Sequence, residues 1–448
     1  MTARALTAAW VIPITMPPIP DGAVVIDGEH ITLVGPRSEV LARGEFRNIE
    51  VVDFGRAAIL PGLVNVHSHL ELTLMRGFLE DLAFREWIVK LTRTKYEQLT
   101  DADLRASAML GAAEAIRAGI TTIADTGDTA AAFEALLASG LRGIAYREVF
   151  GPDPAAANVS LEDLKRKVSE MREHETRLVR VGVSPHAPYT VGSDLFRFVA
   201  RFAIRESLDM CIHAAESESE RQLLLTGEGD FARGLADRGI PWSVPGLSTV
   251  EYLQGLGVLD ASPLLVHCVR VDGKDLELIR QSGSRIAHCP KSNAKLGHGV
   301  APLDQMQATG VSVGLGTDSV ASNNRCDLID EASFCCLLHR SRLRDFTRPT
   351  SSDMLRLMTL GGAEALGLQG AIGSLEAGKQ ADVIAIDLSQ THNLPTHDPG
   401  AAILFSSQAS DVVMTMRGGR VLFEAGELKT LDESALKHAA IDALGRMT

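Results

Sequence analysis

Hydrophobic positions change rhythm twice along the chain. Between Ala5 and Ala58 they alternate over short runs: GAVVIDGEHITLVG sets valine and isoleucine between Gly and Asp turn signals, and IEVVDFGRAAILPG repeats the habit. A period of two over runs this short predicts strands of a small sheet. The same character returns in GSLEAGKQADVIAIDL (Gly373 to Leu388) and DVVMTMRGGRVLFEAGE (Asp411 to Glu427). Two flanks of one kind predict a small β-sandwich assembled from both termini, residues 1–60 and 371–448, with 61–370 inserted between them.

The inserted part reads differently. Its apolar runs are AAILPGLVNVH, GITTIADT, LRGIAYREVF, RVGVSPHAP, LDMCIHAAE, PLLVHC, SRIAHCP and VSVGLGTDS. Between them lie stretches such as Asp101 to Gly119 and Ser160 to His174, with acidic starts and apolar residues three to four apart. Eight strands alternating with helices predict an α/β fold, a closed (β/α)8 TIM barrel. An open doubly wound sheet is the alternative, but the Gly-rich dinucleotide turn is missing from the first strand-helix junction. The connection from Glu216 to Ser262 is longer than its neighbours. A lid, part of a subunit contact and a plain helical excursion all fit it.

Composition narrows the partners. With 45% hydrophobic and 23% charged residues the chain is globular, and its formal net charge of -13, without a basic stripe, argues against nucleic acid. No apolar run approaches the length of a membrane span. Six scattered cysteines, several within apolar runs, read as buried free thiols in a reducing, cytoplasmic compartment. The opening MTARALTAAWVIPITMPPIP has the apolar patch of a signal peptide, but Pro13, Pro17, Pro18 and Pro20 break it. A leading strand with its turn fits better.

Candidate chemistry collects at the ends of the expected strands. His67 and His69 stand two apart in PGLVNVHSHLE, so in an extended chain both imidazoles leave one face and can share a metal ion. Taken alone, such a pair is equally an ordinary surface or core pair. Asp125, Arg147, Glu148, His186, His213, His267, His288 and Asp318 also end strands, and six of the 13 histidines fall in such positions. A barrel brings all eight carboxyl ends to one rim, where those groups converge.

The ordered set PGLVNVHSHLE, HAAE, LLVHC, HCPKSN and GLGTDS resembles the amidohydrolase superfamily, in its branch of aminoheterocycle deaminases and chlorohydrolases. The resemblance covers nearly the whole chain. It implies one divalent metal, Zn2+ or alternatively Fe2+, held by His67, His69, His213 and Asp318. It further implies Glu216 as proton shuttle, His267 as the group that orients the attacking water, and Asp318 as acceptor of that water's proton. Imidazole and carboxylate donors suit such cations without thiolates. Binuclear relatives carry a lysine at the end of the fourth strand, where this chain has His186, so a single metal is expected. His186 is implied as a substrate contact, with a hydrogen-bonded supporting role as its alternative. The cysteine-based zinc deaminase signature does not occur.

The implied reaction is hydrolytic deamination of a 6-aminopurine nucleoside. Trp87 stands where S-adenosylhomocysteine and methylthioadenosine deaminases carry tryptophan, but their following proline is missing and Glu97 falls one residue later. HSHLELT, FREWI and YREVFGPDP look more like the aminodeoxyfutalosine deaminases of menaquinone biosynthesis. For their benzoate carboxylate Arg147 is the candidate cation, a local salt bridge being its alternative. Asn293, with Ser292, is expected in the pocket wall, or as a helix cap. A triazine-type hydrolase and a non-catalytic barrel scaffold are the other readings. The expected partner is a small aminopurine nucleoside, and the expected assembly a homo-oligomer, dimer or larger.

Overall fold

A computed structural model describes residues 3–46 and 49–447. Met1 and Thr2, at the head of the expected leading strand, lie outside the described residues. Strands β1 (Arg4–Val11), β2 (Ile19–Asp27), β3 (His30–Pro36), β4 (Glu50–Asp53) and β5 (Ala57–Pro61) come from the first flank. Eight short strands follow: β6 (Leu63–Ser68), β7 (Ile120–Gly127), β8 (Arg142–Val149), β9 (Val179–Pro185), β10 (Cys211–Ala214), β11 (Leu264–His267), β12 (Arg285–His288) and β13 (Val313–Leu315). The last flank supplies β14 (Val383–Asp387), β15 (Val412–Arg417), β16 (Arg420–Glu424) and β17 (Glu427–Leu428).

The two flanks share one nine-stranded sheet, ordered β17-β16-β15-β14-β5-β1-β2-β3 with β4 on β1. They meet where β14 pairs antiparallel with β5, Ala385 opposite Ile59. Alternate residues, among them Val24, Ile26, Ile59, Val383, Met414 and Met416, share one apolar core. That is the half-buried alternation of the sequence put to use.

Strands β6 to β9 and β10 to β13 form two parallel ladders. Parallel bridges Val183 to Met210 and Ser68 to Asp318 join the ladders at both edges and close a (β/α)8 barrel. Val64, Ala124, Ile144, Val266 and Ala287 pack together inside it, whereas Ile123, Ala145, Leu265 and Ile286 belong to the core shared with the helices. The helices expected at Asp101 and Ser160 form as Asp101–Arg117 and Ala157–Arg172. The first starts at a capping box of Thr100 and Asp103.

One expected element divides. AAILPGLVNVH is two strands: β5 belongs to the terminal sheet and β6 opens the barrel. The break falls at Gly62, whose N–H donates to Asp382 O at 2.9 Å and whose missing side chain leaves room for Thr121. An unbroken apolar run carries no mark of that change of partners. The long connection after Glu216 is the helical excursion, with helices Glu218–Leu225, Gly229–Asp237 and Thr249–Gly255. Among the described residues no helix is long and apolar enough to cross a membrane. All six cysteines are buried and unpaired.

Candidate metal centre and active site

His67 reaches the rim through a break in regularity. The pairing of β6 with β7 slips between Asn65 and Ser68, so one extra residue sits on β6 as a bulge, which turns a strand and re-aims its side chains. The His67 ring is then fixed by Thr126, whose hydroxyl lies 3.1 Å from Nδ1. Its Nε2 is buried with no hydrogen-bond partner among the described residues.

Three further donors stand around that nitrogen. His67 Nε2 is 3.4 Å from Asp318 Oδ1, His69 Nε2 is 3.5 Å from the same oxygen, and His213 Nε2 is 3.3 Å from His69 Nε2. Donors bound about 2.0 to 2.1 Å from one tetrahedral zinc stand about 3.3 Å apart. The spacing, the orphaned Nε2 and the nitrogen and oxygen donor set therefore fit a single divalent cation. Burial first, then the neighbouring imidazoles, holds His213 well below its usual value, and burial takes His69 down to about 3. Both rings are neutral and keep a lone pair.

Local backbone strain sets the angles. Val266 faces the barrel interior, so alternation would turn His267 outward; a φ of 73° at His267 breaks the alternation. The His267 and His213 ring centroids then lie 5.5 Å apart. Ala215 (φ 53°) and Asp318 (φ 57°) are left-handed too, at the ends of β10 and β13. Such conformations cost about 1 to 3 kcal/mol each in a non-glycine residue and gather where function over-determines the backbone.

Glu216 is buried beside this cluster. Its Oε1 lies 3.5 Å from His267 Nε2 and 3.4 Å from His298 Nε2, and its Oε2 accepts from the Tyr189 hydroxyl at 3.1 Å. Burial would raise its pKa, but His267, then His298, hold it at about 2. Behind it Glu220 accepts from the N–H groups of Ala215 and Glu216 and from Thr249. That carboxylate fixes the turn presenting Glu216.

His186 is half-buried, Nδ1 2.7 Å from the Thr190 hydroxyl and its ring 4.7 Å from that of His213. One donor atom each from Glu148, His186 and His213 lies within 4.8 Å of the others, and Glu148 Oε1 is buried without a partner among the described residues. Asn293 holds His267, its Oδ1 2.9 Å from His267 Nδ1. Trp87 packs 6.3 Å from Phe84, whose ring stands 4.5 Å from that of His298. Arg147 does not join the cluster. Tyr146 and Ala145 belong to the inner and outer cores, so Glu148 shares the inward face with Tyr146 and Arg147 the outward one. Burial lowers the pKa of its guanidinium, and the charges of Asp128, then Glu71, oppose that.

Sequence reasoning missed Tyr189, His298, Phe231 and Thr126. Phe231, from the long connection, stacks on Tyr189 with centroids 4.1 Å apart and covers the site. Tyr189 stands three residues after His186 in HAPYT, a signal within reach. Phe231 and His298 carry no local mark.

A match to the Amidohydrolase family spans residues 58–422. A 5-methylthioadenosine/S-adenosylhomocysteine deaminase of Syntrophobacter fumaroxidans is 34% identical over 417 residues, covering 92% of this chain and 90% of its own. The structure of an adenosine deaminase from Xanthomonas campestris with bound zinc superposes with a TM-score of 0.87 at 27% identity, over 99% of this chain and 98% of the other. Helicobacter pylori aminofutalosine deaminase in complex with methylthio-coformycin has a TM-score of 0.80 over 94% and 100% of the two chains. At 20% identity, that likeness bears on the fold alone.

Proposed function

The chain belongs to the amidohydrolase family, and from that premise we propose that it hydrolyses the exocyclic amino group of adenine-type nucleosides, releasing ammonia. The observation that carries the reading is Glu216 Oε1 at 3.5 Å from His267 Nε2, beside the converging donors of His67, His69, His213 and Asp318. Those four residues would hold one divalent cation, zinc being favoured by the zinc-bearing adenosine deaminase relative. When bound, the cation supplies Lewis acidity that makes a water nucleophilic at neutral pH.

The protein's own groups then divide the proton work. Asp318 accepts the proton of the attacking water, while His267, steadied by Asn293, orients that water through Nε2. Glu216, ionised at rest, takes up one proton released by that water and delivers it to the ring nitrogen beside the amino-bearing carbon, and Asp318 passes the other to the departing ammonia. Tyr189 and His298 fix the plane of the Glu216 carboxylate for its uptake and delivery. Phe84, Tyr189 and Phe231 offer apolar ring faces against which a purine can stack, and they keep bulk water out. The buried Glu148 Oε1 and the half-buried His186 are the polar groups left to meet substrate hydroxyls.

Methylthioadenosine and S-adenosylhomocysteine are the better-supported substrates, on the identity to the Syntrophobacter enzyme over 92% of the chain. The resemblance of HSHLELT, FREWI and YREVFGPDP to aminodeoxyfutalosine deaminases keeps that nucleoside as the alternative, with Arg147, by alternation on the outward face of β8, a poor partner for its benzoate. The zinc-loaded protein is assayed for ammonia with methylthioadenosine, S-adenosylhomocysteine, adenosine and aminodeoxyfutalosine, and for chloride with a chlorotriazine. The highest kcat/KM is expected with one of the two sulfur-bearing nucleosides. Chloride release without ammonia from any nucleoside would overturn the reading.

A further inference from the structure

His288 ends a barrel strand, as the proposed ligands do, yet it turns away from the rim. Ala287 and Cys289 pack inside the barrel and Ile286 outside, so alternation sends the His288 ring outward from β12 toward the helix Leu328–Leu343. Two side chains of that helix meet it there. Cys335 and His339 are four residues apart and share one helical face. One ligand atom from each of His288, Cys335 and His339 lies within 4.8 Å of the other two, and all three residues are buried.

The geometry repeats that of the rim. His288 Nε2 and His339 Nε2 are 3.2 Å apart, against 3.3 Å for His69 Nε2 and His213 Nε2. The two rings can share one N–H···N bond between their Nε2 atoms, and that contact leaves the Cys335 thiol of the same trio unexplained.

We propose that His288, Cys335 and His339 form a second, non-catalytic metal site, closed to solvent, whose occupant is Cu+. Thiolate and imidazole donors select soft or borderline cations. Charge and coordination number then choose between the two commonest. One thiolate neutralises Cu+ but leaves a net positive charge beside Zn2+, and burying net charge is costly. Three donors complete a trigonal Cu+ site, whereas structural zinc takes four. A cation here would clamp the helix Leu328–Leu343 to β12. The same helix offers Glu331 to the N–H of Lys291, one residue before Ser292, which holds Asp318. The clamp thus lies behind the segment that supports the rim without touching it.

The test titrates the zinc-loaded protein with Cu+ under anaerobic conditions, against a chromophoric Cu+ chelator, alongside Cys335→Ser, His339→Asn and Cys336→Ser. Cys336 serves as the control because it sits on the same helix and its thiol is engaged by Pro349 O at 3.3 Å. One Cu+ per chain is expected in the parent and in Cys336→Ser, with a sulfur-to-metal charge-transfer band and a raised thermal midpoint. All three are lost in Cys335→Ser and in His339→Asn while the zinc content stays unchanged. No uptake by the folded parent, equal uptake by Cys335→Ser, or occupation of the cluster by a second Zn2+ in preference to Cu+ would overturn the proposal.

Discussion

Ser292 donates its hydroxyl proton to Oδ2 of Asp318, the carboxylate whose Oδ1 stands 3.4 Å from His67 Nε2. Oδ2 is thereby tied to Ser292, and Oδ1, which accepts from the Ser319 N–H at 2.7 Å, is the oxygen that faces His67 and His69. Ser292→Ala removes the tie and leaves the donor set intact. Metal affinity or turnover is expected to fall by about 10 to 100-fold, the usual cost of losing such a support. Metal content after dialysis against a chelator, together with kcat, checks this. An unchanged variant would mean that Ser322, whose hydroxyl is 3.3 Å from the same oxygen, suffices.

Glu216→Gln keeps size and shape but cannot carry the proton. Zinc content is expected at the parent level, because none of the four converging donors is altered. Turnover is expected to fall by about 100 to 10,000-fold, the range for a positioned acid-base group. Activity near the parent level would remove Glu216 from the mechanism.

Tyr189 bonds the charged form of Glu216 and so favours it. Burial pushes the Tyr189 phenol well above its usual value, and it stays a donor across the working range. In Tyr189→Phe the carboxylate loses that bond, and its pKa rises. The acid limb of the kcat/KM profile is expected to move to higher pH, with kcat about 10-fold lower. A profile superimposable on the parent's would leave Tyr189 as packing only.

Glu220 gives a stability signature independent of activity. Burial raises its carboxyl from 4.5 to about 7, against the hydrogen bonds from Thr249, Glu216 and Ala215. The folded chain holds this proton after the unfolded chain has released it. Its contribution is therefore complete below about pH 4.5 and is lost as pH rises through about 7. Glu220→Gln has no such dependence. The thermal midpoint of the parent, measured against the variant, should decline between about pH 4.5 and 7 and level off above. Parallel curves would contradict the raised value.

The sequence determined a good deal. Period-two runs at both ends and eight strand-helix units between them are local patterns, and a local pattern survives in the one-dimensional text. His67, His69, His213, His267 and Asp318 stand out because each closes an expected strand, and a barrel sends every strand end to one rim, whereas Glu216 comes forward through the family resemblance. Where local order and tertiary contact part company, the text gave no warning. The split at Gly62 depends on Asp382 and Thr121, far away in the chain. His288 and His267 close neighbouring strands in similar words, LLVHC and IAHCP, yet one ring turns to the rim and the other to a helix. That difference lies in one backbone dihedral at His267, and a left-handed φ on a non-glycine residue is held only by its surroundings. Phe231 and His298 reach the pocket from the long connection and from the loop after the helix Pro290–Lys295, and their place depends on how those segments pack. The residue types and their order were therefore written in the chain. Which of them face one another was decided by barrel closure, strain and packing, because those act between groups the sequence keeps far apart.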